Sequence, residues 1–254
     1  MSPPLPAFLL LISIAFTSAS AVPLQPGFYA ETCPEAEFIV KDVMRRNMIR
    51  EPRSAASSGG PDWEVKLGRE DSLTASQEDA NNIMPSPRAN ASLLMDLFES
   101  YNLSVKDMVA LSGSHSIGQA RCFSIVFRLY NQSGSGKPDP TIEARYKEKL
   151  NRLCPLGGDE NVTGDLDATP TMFDNRYFKD LVAGRGFLNS DQTLYTFPET
   201  RKYVALFSQD QRTFFKAFVE GMIKMGDLQS GRPGEIRSNC RMVNRRPVNA
   251  LLES

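Results

Sequence analysis

Apolar residues recur at helical spacing through most of the chain. Glu35–Ile49 places Phe38, Ile39, Val43 and Met44 on one side and Lys41, Arg45 and Arg46 on the other, the pattern of an amphipathic helix. Ala91–Tyr101 carries Leu93, Leu94, Leu97, Phe98 and Tyr101 at the same spacing. Ser104-Val-Lys-Asp107 reads as a capping box opening the next helix, and Gly113 as its stop, just before the segment around His115. Ile142–Leu153 and Asp174–Val182, the latter closed by Gly184, are further helices. Asp210–Met225 sets Phe214, Phe215, Phe218, Met222 and Met225 on one stripe, which reads as helix packing. Arg50–Pro61 breaks the pattern: it lacks apolar periodicity and is dominated from Ser54 by small or helix-breaking residues, so it reads as a loop or linker. No period-two alternation dominates and no repeat of 20 to 50 residues appears. The pattern predicts a mainly α fold.

Composition narrows the setting. A formal charge of −1 gives no electrostatic support to nucleic-acid binding or to a polybasic membrane contact. Ala7–Phe16 is apolar but too short to span a bilayer, and Ala19-Ser20-Ala21 follows as a cleavage pattern. A secretory signal over residues 1–21 is therefore expected, with an uncleaved anchor as the alternative. Four glycosylation sequons, at Asn90, Asn102, Asn131 and Asn161, fit an exported surface. Four cysteines, Cys33, Cys122, Cys154 and Cys240, allow three pairings in an oxidising compartment.

The chain has one histidine, in Met108-Val-Ala-Leu-Ser-Gly-Ser-His115-Ser-Ile-Gly118. One imidazole can ligate a metal or shuttle a proton, but cannot do both in two places. Alone, such a histidine reads as a satisfied core or surface residue. Its surroundings reverse that reading, because Val-Ala-Leu-Ser-Gly-Ser-His-Ser-Ile-Gly resembles the proximal haem-ligand motif of the secretory plant peroxidases, the class III haem peroxidases. Phe28-Tyr-Ala-Glu-Thr-Cys33-Pro34 resembles their N-terminal signature. The run Gly59–Ser72, Phe173-Asp-Asn-Arg-Tyr-Phe178, Ser190-Asp191-Gln and Ile236-Arg-Ser-Asn-Cys240-Arg resemble later family blocks in the same order. The match covers nearly everything after residue 23.

The resemblance implies a mainly α haem peroxidase fold and an oxidoreductase that reduces hydrogen peroxide while oxidising small phenolic donors. It implies haem b and calcium as cofactors, a monomer without nucleic-acid or membrane partners after signal cleavage, and a location outside the cell, in the wall or in the vacuole. His115 would be the axial ligand of the haem iron, with Asp191 accepting from its other ring nitrogen. Without the family, Asp191 reads as an N-cap. Calcium at a proximal site would take Ser116, Asp167, Thr169, the Met172 carbonyl and Asp174. Pro85 would line the aromatic-donor channel, and Cys122 would pair with Cys154.

The chain departs from the family pattern in several places. Ser116 stands where threonine is usual. Asp167 lies two residues before Thr169, where three is the common spacing; the third position is Leu166, so Asp167 or Asp165 takes the role. The partners expected for Cys33 and Cys240 are missing, which leaves these two to bond each other, to bond another chain or to remain free. Arg53-Ser-Ala-Ala-Ser57 resembles the start of the distal helix, yet the text then jumps to Gly59-Gly-Pro-Asp-Trp63. The resemblance thus implies an internal deletion that removes the distal helix, the distal calcium site and two more helices. Residues 22–244 would form an incomplete domain with a junction near 54–60, followed by a tail over 245–254. No distal catalytic residue is retained, and nothing around Arg53 matches the distal arginine's setting. Losing the acid–base partner costs roughly 10²–10⁴-fold, so impaired catalysis is expected. The alternatives are a non-catalytic truncated isoform with weak or no haem binding, and a glycosylated binding protein without redox function.

Overall fold

The computed structural model describes residues 24–40, 42, 59–229 and 231–244. The expected signal, Arg53, most of the Arg50–Pro61 segment and the tail over 245–254 lie outside the described residues. So does most of the second half of the Glu35–Ile49 helix; its first half is helical at 36–40. The apolar side predicted for that helix is not buried: Phe38 and Ile39 are 71% and 50% exposed.

The architecture is mainly α, as the periodicity predicts. The helices are α1 (Gln77–Ile83), α2 (Ala91–Glu99), α3 (Val105–Ser112), α4 (Val126–Tyr130), α5 (Ala144–Leu153), α6 (Arg176–Val182), α7 (Asn189–Thr196), α8 (Pro198–Gln209) and α9 (Gln211–Gly226). Two short antiparallel ribbons accompany them. β1 (Asp71–Ser72) pairs with β4 (Gly234–Glu235), Asp71 opposite Glu235. β2 (Gln119–Arg121) pairs with β3 (Thr163–Asp165), Gln119 opposite Asp165.

Local chemistry sets the helix ends. Asn90 caps α2 by accepting the Leu93 N–H, and Asp210 caps α9 by accepting from Arg212 and Thr213. The Ser104–Asp107 capping box forms: Ser104 Oγ accepts the Asp107 N–H, and Asp107 returns the contact to the Ser104 N–H. Asp107, 1% exposed, also accepts from Lys224 Nζ at 2.7 Å, and Lys106 meets Glu220, so two ion pairs fasten α3 to α9. Gly113 follows α3 as expected, for a different reason. Its φ of −62° is open to any residue; a Cβ there would lie 2.5 Å from the Phe214 ring and 2.9 Å from Phe178. Close approach of the chain to α9 requires the glycine.

Two cores result. The larger joins α2, α3, α6, α7, α8 and α9 around Met108, Val109, Phe178, Leu194, Phe207 and Phe214. Phe214 packs edge-on against Phe178 and Phe218 and stacks with Phe173. The smaller core gathers Ile125, Leu129, Leu150, Leu166 and Phe187 around the Cys122–Cys154 disulfide, whose Cα atoms are 5.4 Å apart. Leu93, on the apolar stripe predicted for α2, is instead 60% exposed, while Ala91 and Leu94 face inward. The segment after the junction docks on α9: Trp63 lies edge-on to Phe218, Lys66 pairs with Asp227, and Arg69 donates to the Gly226 and Leu228 carbonyls.

Candidate active site

Beyond α3 the chain tightens into a single helical turn, Gly113–Ser116, which carries His115 between the two cores. The turn is released by Ile117 in extended conformation and by Gly118 at φ +96°, a backbone setting that favours glycine. Gly118 donates its N–H to the Pro170 carbonyl and accepts from Leu166, which locks the turn onto the loop before α6.

His115 Nδ1 lies 2.8 Å from Asp191 Oδ1. A carboxylate there can only accept, so Nδ1 carries the proton and a neutral ring keeps its lone pair on Nε2. Nε2 makes no hydrogen bond among the described residues, and the side chain is 36% exposed. Asp191 is fully used. Its Oδ1 also accepts from Tyr177 Oη at 3.0 Å, and its Oδ2 accepts the Leu188 N–H at 2.9 Å. Asp191 is not the N-cap of α7, a place that Leu188 takes; it sits at N3, where one oxygen accepts the Leu188 N–H and the other faces the imidazole. Burial works against the charged imidazole, but the Asp191 carboxylate outweighs it and holds the His115 pKa above its ordinary value. Burial and the same carboxylate push the Tyr177 phenol well up, so it remains a donor. Tyr177 was missed as a site residue; its only signal in the sequence is its place in the Phe173–Phe178 block.

A second cluster adjoins the turn. Ser116, fully buried, donates from Oγ to the Met172 carbonyl at 3.1 Å and accepts the Asp174 N–H at 2.9 Å. Thr169 Oγ1 lies 3.2 Å from Asp174 Oδ1 and 3.4 Å from Asp167 Oδ2. Burial, with the neighbouring Asp174 and Asp180 carboxylates, pushes Asp167 up to about 7. Asp165 accepts from Gln119 on the exposed ribbon, at the rim of a cavity it shares with Asp167. Leu166 is buried in the smaller core. Asp167 and Asp174 both reach the Thr169 hydroxyl, while Asp180 accepts the Ala168 N–H; no group of three or more His, Cys, Asp or Glu residues that could hold a metal ion occurs among the described residues. The cluster is instead built from hydroxyls, carbonyls and the acids Asp167 and Asp174.

Pro85 is exposed in the loop before α2. The loop is tied to the start of α7, where Ser190 donates to the Pro87 carbonyl and Asn189 to those of Arg88 and Ala89. Cys33 and Cys240 are free, exposed thiols. All four sequon asparagines are exposed.

A sequence profile described as peroxidase matches residues 51–210. The chain belongs to the peroxidase family. It is similar to Peroxidase 17 of Arabidopsis thaliana, 54% identical across 98% of this chain and 99% of the relative. Peroxidase 15 of the same plant is 46% identical over 87% of this chain and 89% of its own length. Peroxidase N of Armoracia rusticana is 45% identical over 74% of this chain, which spans 58% of that relative. The alignment with Peroxidase 17 runs over 326 positions, whereas this chain has 254 residues, so the ends match while an internal stretch of the relative has no counterpart here. The chain is thus a shortened class III plant peroxidase with the helical fold of that family, whose members are oxidoreductases acting on hydrogen peroxide. No helix among the described residues is long and apolar enough to cross a membrane.

Proposed function

We propose that this chain is the proximal half of a secreted haem peroxidase, able to hold haem b through His115 but impaired in turning over hydrogen peroxide and small phenolic donors. The observation that carries the reading is the His115–Asp191 pair at 2.8 Å in a chain with one histidine. The ring fits an axial-ligand role: Asp191 fixes its tautomer, Tyr177 and Leu188 fix Asp191, and Nε2 stays available. The chemistry that a bound haem supplies is peroxide reduction at iron. Peroxide reduction would also need a side chain that takes a proton from one peroxide oxygen and returns it to the other. This chain has no second imidazole for that task. The internal stretch absent here fits the distal layer that the jump at residues 54–60 implies.

Ser116, Asp167, Thr169, Met172 through its carbonyl, and Asp174 would hold calcium. The pressure on Asp167 from burial and from Asp174 is the imbalance that a divalent cation relieves. Pro85 would border the donor approach beside α7. The leader over residues 1–21 and the sequons at Asn90, Asn102, Asn131 and Asn161 support a glycoprotein exported to the wall or the vacuole, and the family resemblance supports a monomer.

The competing reading, a non-catalytic isoform with little haem affinity, draws on the exposed Phe38, Ile39 and Val40, an apolar face without its covering layer. Haem titration of the full chain and of His115→Ala, followed in the Soret band, separates the two. The proposed reading expects saturable binding that the substitution abolishes; binding absent from both favours the competitor. With hydrogen peroxide and guaiacol, turnover roughly 10²–10⁴-fold below that of an ordinary peroxidase is expected. Ordinary turnover would overturn the proposal of impairment.

A further inference from the structure

Two of the four sequon asparagines share a geometry. Asn90 Oδ1 accepts the Leu93 N–H at 3.0 Å, and Asn131 Oδ1 accepts the Gly136 N–H at 2.8 Å. Each carboxamide is thus held by its oxygen. Its nitrogen, the atom to which an N-linked sugar attaches, donates no hydrogen bond among the described residues. Asn161 differs, since its Nδ2 donates to Asp159 at 3.1 Å. Asn102 differs too, sitting at a left-handed φ of 57°.

Asn90 and Asn131 also line one cavity of about 550 Å³, whereas Asn102 and Asn161 do not. That volume lies within the roughly 300–1,000 Å³ range of pockets that enclose small organic ligands. Amides and hydroxyls dominate its wall. Asp139, its one acid, is already committed to the buried Arg128 and to Thr141. Gln132 donates to Asn189 at 2.9 Å, yet its Oε1 is a buried acceptor with no partner. The apolar part of the wall is Leu93, 60% exposed, and Phe127, with the Arg88 guanidinium 4.8 Å from the Phe127 ring centroid. Neutral hydrogen-bonding groups around a small apolar floor suit a polyhydroxylated ligand better than an ion.

We propose that this cavity seats the chain's own carbohydrate. The first sugars of N-linked glycans on Asn90 and Asn131 lie in it and cover Leu93 and Phe127. The inference rests on the secretory reading above, and the two can fail separately.

The test uses the full chain with its own leader, expressed in plant secretory cells treated with a mannosidase I inhibitor such as kifunensine, so that the glycans stay high-mannose. The native glycoprotein is digested with endoglycosidase H, and cleavage is followed site by site on glycopeptides. Access to a seated glycan requires local opening, so glycans on Asn90 and Asn131 should be cleaved about tenfold more slowly than those on Asn102 and Asn161, and equally fast after denaturation. A chain carrying Ser92→Ala and Ser133→Ala loses both sequons but keeps both asparagines and their caps. In it, phenylglyoxal should label Arg88 faster than in the glycoprotein. Equal cleavage at all four sites, unchanged Arg88 labelling, or glycans on Asn102 and Asn161 alone would overturn the inference while sparing the secretory reading. A chain without glycan at any sequon would overturn both.

Discussion

Asp191 serves the imidazole and the start of α7 with its two oxygens. It is 1% exposed and accepts from His115, Tyr177 and the Leu188 backbone. Asp191→Ala would strand three donors, two of them buried, and about 2–4 kcal/mol of stability should be lost, read as a fall in the urea midpoint. A change of a few tenths would show that these contacts are idle. Asp107 makes a pH-dependent counterpart. Burial raises its pKa, but Lys224 and Ser104 more than offset that and hold it below the usual carboxylate range. A depressed folded-state pKa stabilises the fold above the unfolded value and loses that contribution as pH falls through the folded one. The margin of the native chain over Asp107→Asn should therefore be full near neutrality and shrink through the acidic carboxylate range. Denaturant titrations across pH check this; a margin that grows on acidification reverses the sign. The capping role of Asp107 was legible, because Ser104 and Asp107 are three residues apart. Its partner Lys224 was not, because no spacing rule reaches from α3 to α9.

Among the elements, α2, α5, α6 and α9 were visible in the residue pattern, while α3, which buries five consecutive residues from Asp107 to Leu111, was visible in its capping box and the glycine after it. α1 escaped because none of its residues is buried, which leaves no stripe to find. α7 and α8 escaped because polar residues interrupt them and a one-residue joint at Phe197 separates them, so neither shows a long clean period. The smaller core depends on its disulfide more than its few apolar residues suggest. Cys122 and Cys154 are separated by 32 positions. Closing a loop of that size stabilises by roughly 3–4 kcal/mol on the chain-entropy account. Replacing both by serine should lower the thermal midpoint and speed amide exchange across α4 and α5 first. Unaltered exchange there would place the stability of this lobe elsewhere.

For the molecule as a whole, the calcium reading makes the firmest claim. If Ser116, Asp167, Thr169, Met172 and Asp174 hold a cation, a chelator should lower the thermal midpoint and added calcium restore it; magnesium, which demands stricter octahedral geometry, should do so poorly. A midpoint indifferent to all three would remove calcium from the account. Between them, sequence and tertiary structure divided the work along a physical line. Helix periods, the Ser104 box and the count of one imidazole are properties of neighbours along the chain or of composition, and the sequence determined them unaided. The resemblance of ordered motifs supplied the lineage and pointed to Asp191. The remainder is a matter of distance between remote segments. Folding brought Asp191 to His115 across 76 positions, added Tyr177 to the same oxygen, and paired Asp165 with Gln119 across the ribbon. It also set Asn90 and Asn131 on one cavity. Such contacts depend on how the two cores pack around the turn at Gly113, and packing is a property of the assembled layers that no local pattern encodes.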